Sequence, residues 1–527
     1  MLTQFSFGFS LCLALRLVPL LHTAEESCLK ESCSNEKQNF VILLADDLGY
    51  GDLSCYGHPT QEWGPIDQMA VEGLRFTQFY AADSLCTPSR AGLLTGRLPV
   101  RLGIFGRPKR CLHPQDRGGL PRTEKTIPEY LHAVGYRTGM VGKWHLGINA
   151  VNNTDGTHLP VHRFDFVGSN LPYTLNWDCD DTGVFAKEGP NRQKCFLYHG
   201  DRIVQQPIKF EDLTRRMVGE FKNFVDDAED RKKPFFFYFS FPQVHVNLYA
   251  SKKFNGSSAR GMYGDNLNEM AWAVGEVLAH LGRRKLEKRT LVVFMSDHGA
   301  HEALCQLGGV TAQFSGGKSH SWEGGFRIPA IAWQPGTIPA GVSSSVLSSL
   351  DLLPSFLSLA GGSLPSNVAL DGRDMSDCLR NAAARCDTEP QRLIFFYCND
   401  HLMAVRYGRY KIHFLTIPLR PIDRDTQCPG GIHIQDWYIM NRCPEEQLVK
   451  QEPPLVFDLQ MDPMEKDALE IAGNVAEIFN MAEKLIAQHK SGLTVGEMQN
   501  GFWNDQLIPC CDPPKCDCDH VTEFDHL

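Results

Sequence analysis

The feature that most constrains the fold is a series of short apolar runs, each followed by charged or imidazole side chains. The first run, Asn39–Ala45, contains β-branched residues and is too short for a buried helix, so it predicts a central β-strand. Runs at 136–141, 234–241 and 290–295 follow the same pattern, with helix-like stretches between them. Strands that alternate with helices predict a mostly parallel α/β sheet covered by helices on both faces.

Other stretches have the apolar spacing and end signals of helices, and they lie at 65–73, 127–134, 210–227, 267–281 and 345–360. From about residue 392 the chain changes to short strand-like runs and one helical stretch at 468–488. This second part predicts a small antiparallel sheet packed on a helix. We therefore expect a large α/β region followed by a smaller α+β subdomain.

The four apolar runs predict where a functional site would lie. In open α/β sheets, ligands bind beyond the carboxyl ends of the strands. The side chains expected to meet at that edge are Asp46, Asp47, Lys143, His145, His245, Asp297 and His298. No pair among them is compelling by itself, but their coincidence at four strand ends indicates a site.

The carboxylates in this set have a specific interpretation. Asp46 and Asp47 are adjacent, and two carboxylates at one strand end repel each other unless a cation holds them. Together with Asp297 they form a hard-oxygen set that suits Ca²⁺ or Mg²⁺. Paired aspartates are also common in solvated turns, so these residues alone leave both interpretations open.

The stretch 86–97, Cys-Thr-Pro-Ser-Arg-Ala-Gly-Leu-Leu-Thr-Gly-Arg, predicts a short helix. Thr87 is expected to cap the helix and Gly96 to end it. Cys86 would then lie just before the helix N-terminus, where free N–H groups and the helix dipole favour an anion.

Two arginines strengthen that interpretation. The guanidinium groups of Arg90 and Arg97 suit sulfate or phosphate oxygens. A buried structural cysteine before an ordinary helix is the alternative, and on local evidence the two interpretations of Cys86 are equally compatible with the sequence.

Two motifs carry a resemblance to a known family. Cys-Thr-Pro-Ser-Arg followed by Leu-Thr-Gly-Arg resembles the signature of the type I sulfatases, and residues 135–147 are similar to a second block of that family. Within the family, Val244-His245-Val246 followed by Met262-Tyr263-Gly264-Asp265 most resembles the steryl-sulfatase-like arylsulfatases. The resemblance extends from about Asn39 to the C-terminal cysteines.

The resemblance implies an alkaline-phosphatase-like fold and a set of site residues. Cys86 would be oxidised to formylglycine (3-oxoalanine) by the formylglycine-generating enzyme before the chain folds. The implied sulfate-binding and proton-transfer residues are Cys86, Arg90, Lys143, His145, His245 and Lys318. The implied calcium ligands are Asp46, Asp47, residue 86, Asp297 and His298. His298 departs from the commoner Asn or Gln, which leaves open whether it contacts the metal.

The reaction implied by the resemblance is the hydrolysis of a sulfuric ester. A hydrated formylglycine would attack the sulfate sulfur, forming a covalent sulfo-enzyme intermediate, and His145 would assist its breakdown. One alternative is a phosphoester hydrolase on the same scaffold, which ordinarily uses an unmodified Ser or Thr. Another is a catalytically silent, secreted protein that binds sulfated glycans.

The N-terminal stretch, the net charge and one polar stretch together predict where the protein resides. Residues 1–24 resemble a signal peptide, followed by a predicted catalytic domain at 25–390 and a C-terminal subdomain at 391–527. The net charge of −10 argues against a nucleic-acid partner. Steryl-sulfatase has an apolar membrane hairpin where the stretch 168–206 of this chain is polar, so we expect no integral membrane segment. These features predict a secreted or lysosomal protein.

The chain has 18 cysteines, as expected in an oxidising compartment. Once Cys12 leaves with the signal peptide and Cys86 is converted, an even number remains. The cluster at 510–518 indicates a compact knot of two bridges, with a zinc site as the alternative. The pairs Cys179–Cys195 and Cys398–Cys443 are implied by the resemblance. Asn152 and Asn255 begin glycosylation sequons.

Overall fold

Two β-sheets organise the chain in the computed structural model, which describes residues 37–106, 110–173, 179–180, 192–381, 392–419 and 443–524. The strands in chain order are β1 (Asn39–Ala45), β2 (Leu74–Tyr80), β3 (Arg137–Lys143), β4 (Phe166–Leu171), β5 (Leu197–His199), β6 (Arg202–Gln206), β7 (Phe235–Ser240), β8 (Thr290–Ser296), β9 (Arg327–Trp333), β10 (Gly341–Ser343), β11 (Leu347–Ser348), β12 (Leu393–Cys398), β13 (His401–Tyr407), β14 (Tyr410–Thr416), β15 (Val449–Asp458) and β16 (Cys518–Asp519). Residues from Gln38 onward form one unit.

The larger sheet has 12 strands in the order β10-β2-β9-β8-β1-β7-β3-β4-β5-β6-β16, with β11 also paired to β2. Its centre, from β8 to β4, is parallel, and the strands outside this centre add antiparallel pairs. The α/β class and the mostly parallel centre predicted from the sequence are thus confirmed, within a sheet that is mixed as a whole.

Helices cover both faces of this sheet, and all but the last pack in this region of the chain. The bounds of the helices are α1 (Pro65–Glu72), α2 (Cys86–Thr95), α3 (Ile127–Ala133), α4 (Leu213–Asp230), α5 (Met262–Arg283), α6 (Glu323–Phe326), α7 (Leu352–Leu359), α8 (Ser376–Arg380) and α9 (Gly473–Ser491). The side chains of β1 alternate between two cores: Val41 and Leu43 belong to one, Phe40 and Ile42 to the other. Because both faces are buried, β1 is apolar from Phe40 to Ala45. Burial stabilises the fold by about 1.5–3 kcal/mol for each large apolar side chain removed from water.

The helix predicted at 345–360 is only partly correct. The chain first forms β11 and a short 3₁₀ turn, and α7 begins at Leu352. The Ser348 N–H donates to the Asp351 carboxylate at 2.7 Å, and the Leu350 N–H donates to the Ser348 hydroxyl at 3.3 Å. This capping box closes a turn where the apolar spacing alone predicted a continuous helix.

The smaller sheet, β12-β13-β14-β15, is antiparallel and packs on α9, as predicted. After α9 the chain returns to the larger sheet, where β16 pairs with β6. The described disulfides are Cys179–Cys195, Cys398–Cys443, Cys510–Cys516 and Cys511–Cys518. The last two form the predicted knot, which leaves none of these four thiols for zinc.

Two further observations concern the protein surface. No helix within the described ranges combines the length and apolar character that crossing a membrane requires. The two sequon asparagines, Asn152 and Asn255, are exposed. Both positions are therefore sterically open to a glycan.

Candidate active site

Four neighbouring parallel strands bring the predicted side chains to one edge of the larger sheet. In the order β8, β1, β7 and β3, their carboxyl ends lie next to one another. Asp47 and His145 each follow a strand end with a positive φ, 60° and 59°. This left-handed backbone is uncommon for residues other than glycine, and such residues cluster at functional sites.

Helix α2 presents residue 86 to this edge, with a start that differs from the prediction. The helix begins at Cys86 itself, and Leu85 occupies the cap position without a side-chain hydrogen bond. The Thr87 hydroxyl accepts a hydrogen bond from the Leu112 N–H at 3.2 Å instead of capping the helix. Gly96 ends the helix with a φ of 65°, as predicted.

Each of the three carboxylates faces a buried cation. Asp46 Oδ2 lies 2.5 Å from Lys143 Nζ, and both Asp47 oxygens lie 2.6 Å from Lys318 Nζ. Asp297 Oδ2 accepts a hydrogen bond from Arg90 Nε at 3.0 Å and lies 2.9 Å from Nη2, which is also 3.2 Å from Asp46. Burial favours the neutral form of Asp47, but the Lys318 charge outweighs burial and holds its pKa well below the usual range.

The formal charges of this cluster balance. Three carboxylates oppose one guanidinium and two ammonium groups, so the sum is zero when all six are ionised. Adding a divalent cation would make the site positive by two charges. Such a site attracts anionic esters and stabilises negative charge that develops on them.

The donor set fits a hard divalent cation. Oxygen, sulfur and nitrogen atoms of Asp46, Cys86, Asp297 and His298 all lie within 4.8 Å of one another. Asp46 Oδ1 is buried and accepts no hydrogen bond, although the Arg90 guanidinium lies nearby. Burial raises the pKa of Asp297 to about 6, a cost that a bound cation would offset.

His298 is oriented so that it could take part in this set. Its Nδ1 lies 2.9 Å from the Gly299 carbonyl oxygen, which accepts a hydrogen bond from Nδ1–H. Its Nε2 lies 3.1 Å from Asp47 Oδ1 and 3.2 Å from Cys86 Sγ. Burial would lower the pKa of His298, but the charges of Asp297, Cys86 and Asp47 raise it well above its usual range, so Nε2 carries a proton that faces Asp47. Loss of that proton to a bound cation would leave Nε2 as a ligand, with Nδ1–H held by the Gly299 carbonyl oxygen as in other metal-binding histidines.

The thiol of Cys86 marks the centre of the cluster. It is 2% exposed and lies 3.8 Å from Asp47 Oδ1. Burial would raise the pKa of Cys86, but a hydrogen bond with Cys111 and the charges of Lys143 and Lys318 lower it well below its usual range. An anionic oxygen at this position would be stabilised by the same groups.

Three histidines surround residue 86 and Asp47. His145 Nε2 lies 2.9 Å from the Leu112 carbonyl oxygen, and the imidazole lies close enough to Cys86 for that side chain to influence its pKa. Burial lowers the pKa of His145 to about 4, so its imidazole is neutral at neutral pH. His245 Nε2 and His301 Nδ1 lie 3.8 and 3.9 Å from Asp47 Oδ2.

The segment that carries Lys318 is held by the smaller sheet. The Glu323 carboxylate lies 3.1 Å from Lys411 Nζ, which also lies 3.1 Å from Glu465. The Glu323 N–H donates to Glu465 at 2.6 Å, and the Trp322 ring packs on His413. These side chains are buried, so β14 and the turn after β15 fix the far end of the Lys318 segment.

The structure thus brings all ten predicted side chains together, with three differences from the sequence analysis. Arg97 does not reach the site and instead lies 3.6 Å from Glu124. Cys111 and His301 reach the site but were not predicted. His301 follows His298 by three residues in the turn after a predicted strand, and this spacing could have indicated that His301 reaches the site. No local pattern in the sequence indicates Cys111.

The large, mostly parallel sheet flanked by helices, with its site at the strand ends, is an alkaline-phosphatase-like fold. Within that class the chain belongs to the sulfatase family: a sulfatase family model matches residues 38–363, and one for the C-terminal region of aryl-sulfatase matches residues 389–518. It is accordingly a sulfatase, an enzyme that hydrolyses sulfate esters.

Individual relatives agree with this assignment. The chain is 44% identical to an arylsulfatase of Hemicentrotus pulcherrimus, over 92% of this chain and 87% of the relative. It is 34% identical to the steryl-sulfatase of Mus musculus, over 89% and 84%. The solved structure of the PsFucS1 sulfatase from Pseudoalteromonas sp. superimposes with a TM-score of 0.73 at 27% identity, over 91% of this chain and 97% of that one.

Proposed function

We propose that this sulfatase uses a formylglycine at position 86 and a bound calcium ion to hydrolyse a sulfuric ester. The observation that carries the proposal is the convergence of Arg90, Lys143 and Lys318 with three carboxylates around a single buried cysteine. A carboxylate-only site would repel an anionic ester, and a lysine-only site would hold no divalent cation. The combination suits both.

Residue 86 and the three neighbouring cations have different roles in the proposed reaction. As a hydrated aldehyde, residue 86 would supply an oxygen nucleophile to the sulfate sulfur. Arg90 and Lys143 lie beside the carboxylates, and Lys318 approaches from the opposite segment. Once the carboxylates hold a cation, these three groups are available to the sulfate oxygens as their negative charge grows.

Two histidines are assigned to proton transfer. His145 contacts residue 86 and is neutral at neutral pH, so it can remove a proton from a hydroxyl there. His245 lies on the Asp47 side of the site, where it can protonate the leaving alcohol. His301, on the same side, is available to orient the leaving group.

Asp46, Asp47, Asp297 and His298 would hold the cation, together with residue 86. A bound calcium ion would supply Lewis acidity and neutralise charge on the sulfate. Oxygen-rich sites of this kind favour Ca²⁺ or Mg²⁺ over softer metals. Two observations support this assignment: Asp46 Oδ1 is buried without a hydrogen bond, and His298 Nε2 faces Asp47.

A substrate pair tests the proposal against the alternatives. Purified protein is assayed with 4-nitrophenyl sulfate and 4-nitrophenyl phosphate, before and after dialysis against a calcium chelator. We expect sulfate release that is lost with chelation and restored by Ca²⁺. Preferential phosphate release would favour the phosphoester hydrolase, and binding of sulfated glycans without turnover would favour the silent protein.

We also propose that the chain enters the secretory pathway through residues 1–24 and meets the formylglycine-generating enzyme there. The disulfides and the exposed sequons support an oxidising, glycosylating compartment. Secreted or lysosomal residence follows from the same route. Pulse-labelled protein in cells lacking the modifying enzyme should be secreted or sorted normally but remain inactive.

A further inference from the structure

Three cysteines in the described part of the chain carry free thiols: Cys55, Cys86 and Cys111. The proposed mechanism uses position 86 alone. Cys55 lies in a different part of the fold, where its N–H donates to Asp67. Cys111 lies beside Cys86 instead: the next residue, Leu112, donates its N–H to the Thr87 hydroxyl at 3.2 Å, and the two thiols interact with each other.

Contacts on both sides of Cys111 hold it over residue 86. Arg110 forms a buried ion pair with Asp83 at 2.5 Å. The Leu112 N–H donates to the Thr87 hydroxyl at 3.2 Å, and the Leu112 carbonyl oxygen lies 2.9 Å from His145 Nε2. Residues 110 and 112 are thus each fixed to side chains that flank Cys86.

The segment is also fixed from the C-terminal side. The Asn500 side-chain amide is buried and donates to the Arg110 carbonyl oxygen at 2.5 Å. Cys111 is half-buried, whereas Cys86 is fully buried. Cys111 is therefore the more exposed residue of the pair.

We propose that Cys111 forms a disulfide bond with Cys86 in chains whose residue 86 is still a cysteine. The inference concerns the unconverted chain and does not require formylglycine chemistry. It identifies a covalent modification site at the centre of the candidate active site. The observation behind it is the contact of two free thiols in a segment that is fixed at both ends.

The chemistry needs a disulfide oxidant such as glutathione disulfide. The Cys111 sulfur attacks one sulfur of the oxidant, the S–S bond breaks, and one glutathione thiol leaves. The Cys86 sulfur then attacks the Cys111 sulfur of this mixed disulfide and releases the second glutathione thiol. Both cysteine thiols lose their protons and are oxidised, and the oxidant is reduced to two thiols.

This bond has a consequence for maturation. A cysteine held in a disulfide has no free thiol to be converted to an aldehyde, so oxidation before conversion would yield an inert chain. Because the two thiols meet only on folding, and conversion precedes folding, the disulfide would prevent later conversion of any chain that has folded with Cys86 unmodified.

The test uses full-length protein from cells that lack the formylglycine-generating enzyme. The folded protein is incubated with glutathione disulfide, denatured, alkylated without reduction, digested and analysed by mass spectrometry. We expect a peptide pair linked through Cys86 and Cys111, with joint loss of alkylation at both positions. Cys55, the other half-buried free thiol, should remain alkylated and serves as the matched control.

Two results would overturn the inference. In one, Cys86 and Cys111 are alkylated independently after oxidation. In the other, Cys111 retains glutathione while Cys86 stays a free thiol. The Cys111→Ser variant should lose the linked peptide, and the wild-type measurement decides the question even if that variant folds poorly.

Discussion

At the scale of single residues, the site depends on buried charges that neutralise one another. Arg90 lies within 3.2 Å of both Asp46 and Asp297 and is itself fully buried. Breaking such a buried pair from one side costs about 3–5 kcal/mol, because a charge is left without a partner. Substitutions at residue 86 are cleaner tests than substitutions of these ions, because a serine preserves size and leaves the ion pairs intact.

We predict that Cys86→Ser abolishes turnover while preserving the fold. A serine has a single hydroxyl, so it lacks the second oxygen from which His145 would remove a proton. The expected result is a loss of sulfate release by at least about a thousandfold, with an unchanged melting temperature. The matched control, Cys55→Ser, should retain activity, and a Cys86→Ser variant with wild-type turnover would contradict the mechanism.

At the scale of secondary-structure elements, the strand ends could be predicted because their signals are local. Each apolar run ends where Asp46, Lys143 or Asp297 begins the polar edge, and parallel pairing then aligns those ends. The start of α2 was predicted incorrectly because the Thr87 hydroxyl bonds to Leu112, a partner that is distant in sequence. Helix-capping rules consider only neighbouring residues, so they do not include a distant backbone N–H that binds the capping hydroxyl instead.

The Lys318 segment supplies a prediction at this scale. Lys411→Met removes the cation shared by Glu323 and Glu465, which should loosen the far end of the segment. We expect kcat to fall about 10- to 100-fold with little change in KM, because misplacing a group that stabilises charge affects the reaction more than binding. Steady-state kinetics at a temperature where the variant is folded provide the measurement.

The control for that prediction is Arg392→Met. Arg392 also joins the start of β12 to the catalytic region, at 2.7 Å from both Asp351 oxygens, without touching the Lys318 segment. Its loss should lower the melting temperature while kcat changes less than about twofold. Equal loss of kcat in the two variants would show that Lys411 acts only through stability.

At the scale of the whole molecule, the C-terminal region completes the site from two directions. The smaller sheet fixes the Lys318 segment through Lys411 and Glu465, and the returning tail fixes the Cys111 segment through Asn500. The sequence could predict that this subdomain exists but not what it contacts. The thiol contact between Cys86 and Cys111 depends on these long-range contacts, so no sequence motif revealed it.

The buried network around Glu323 predicts a pH dependence of stability. Burial would raise the pKa of Glu323, but the charges of Lys411, Arg327 and Arg406 lower it to about 2, from an ordinary 4.5. A carboxylate with a lowered folded pKa stabilises the fold above its unfolded pKa, and this stability is lost as the pH falls through the folded value. About 2 kcal/mol should be lost between about pH 5 and pH 3.

Thermal unfolding of Glu323→Gln across this pH range provides the measurement. The variant is less stable at neutral pH, but its stability should fall less steeply below about pH 5. Glu276→Gln is the control, because Glu276 forms a partly exposed pair with Lys222 that contributes little. Parallel pH curves for wild type and Glu323→Gln would contradict the assigned ion network.

The most direct test of the account is the chemical state of residue 86 in active enzyme. Protein from a secretory host is digested, and the peptide spanning residues 86–90 is analysed by mass spectrometry alongside the rate of sulfate release. We predict an aldehyde or its hydrate at residue 86, with specific activity proportional to the converted fraction across preparations. Full activity in a preparation whose residue 86 is entirely unmodified cysteine would contradict the account.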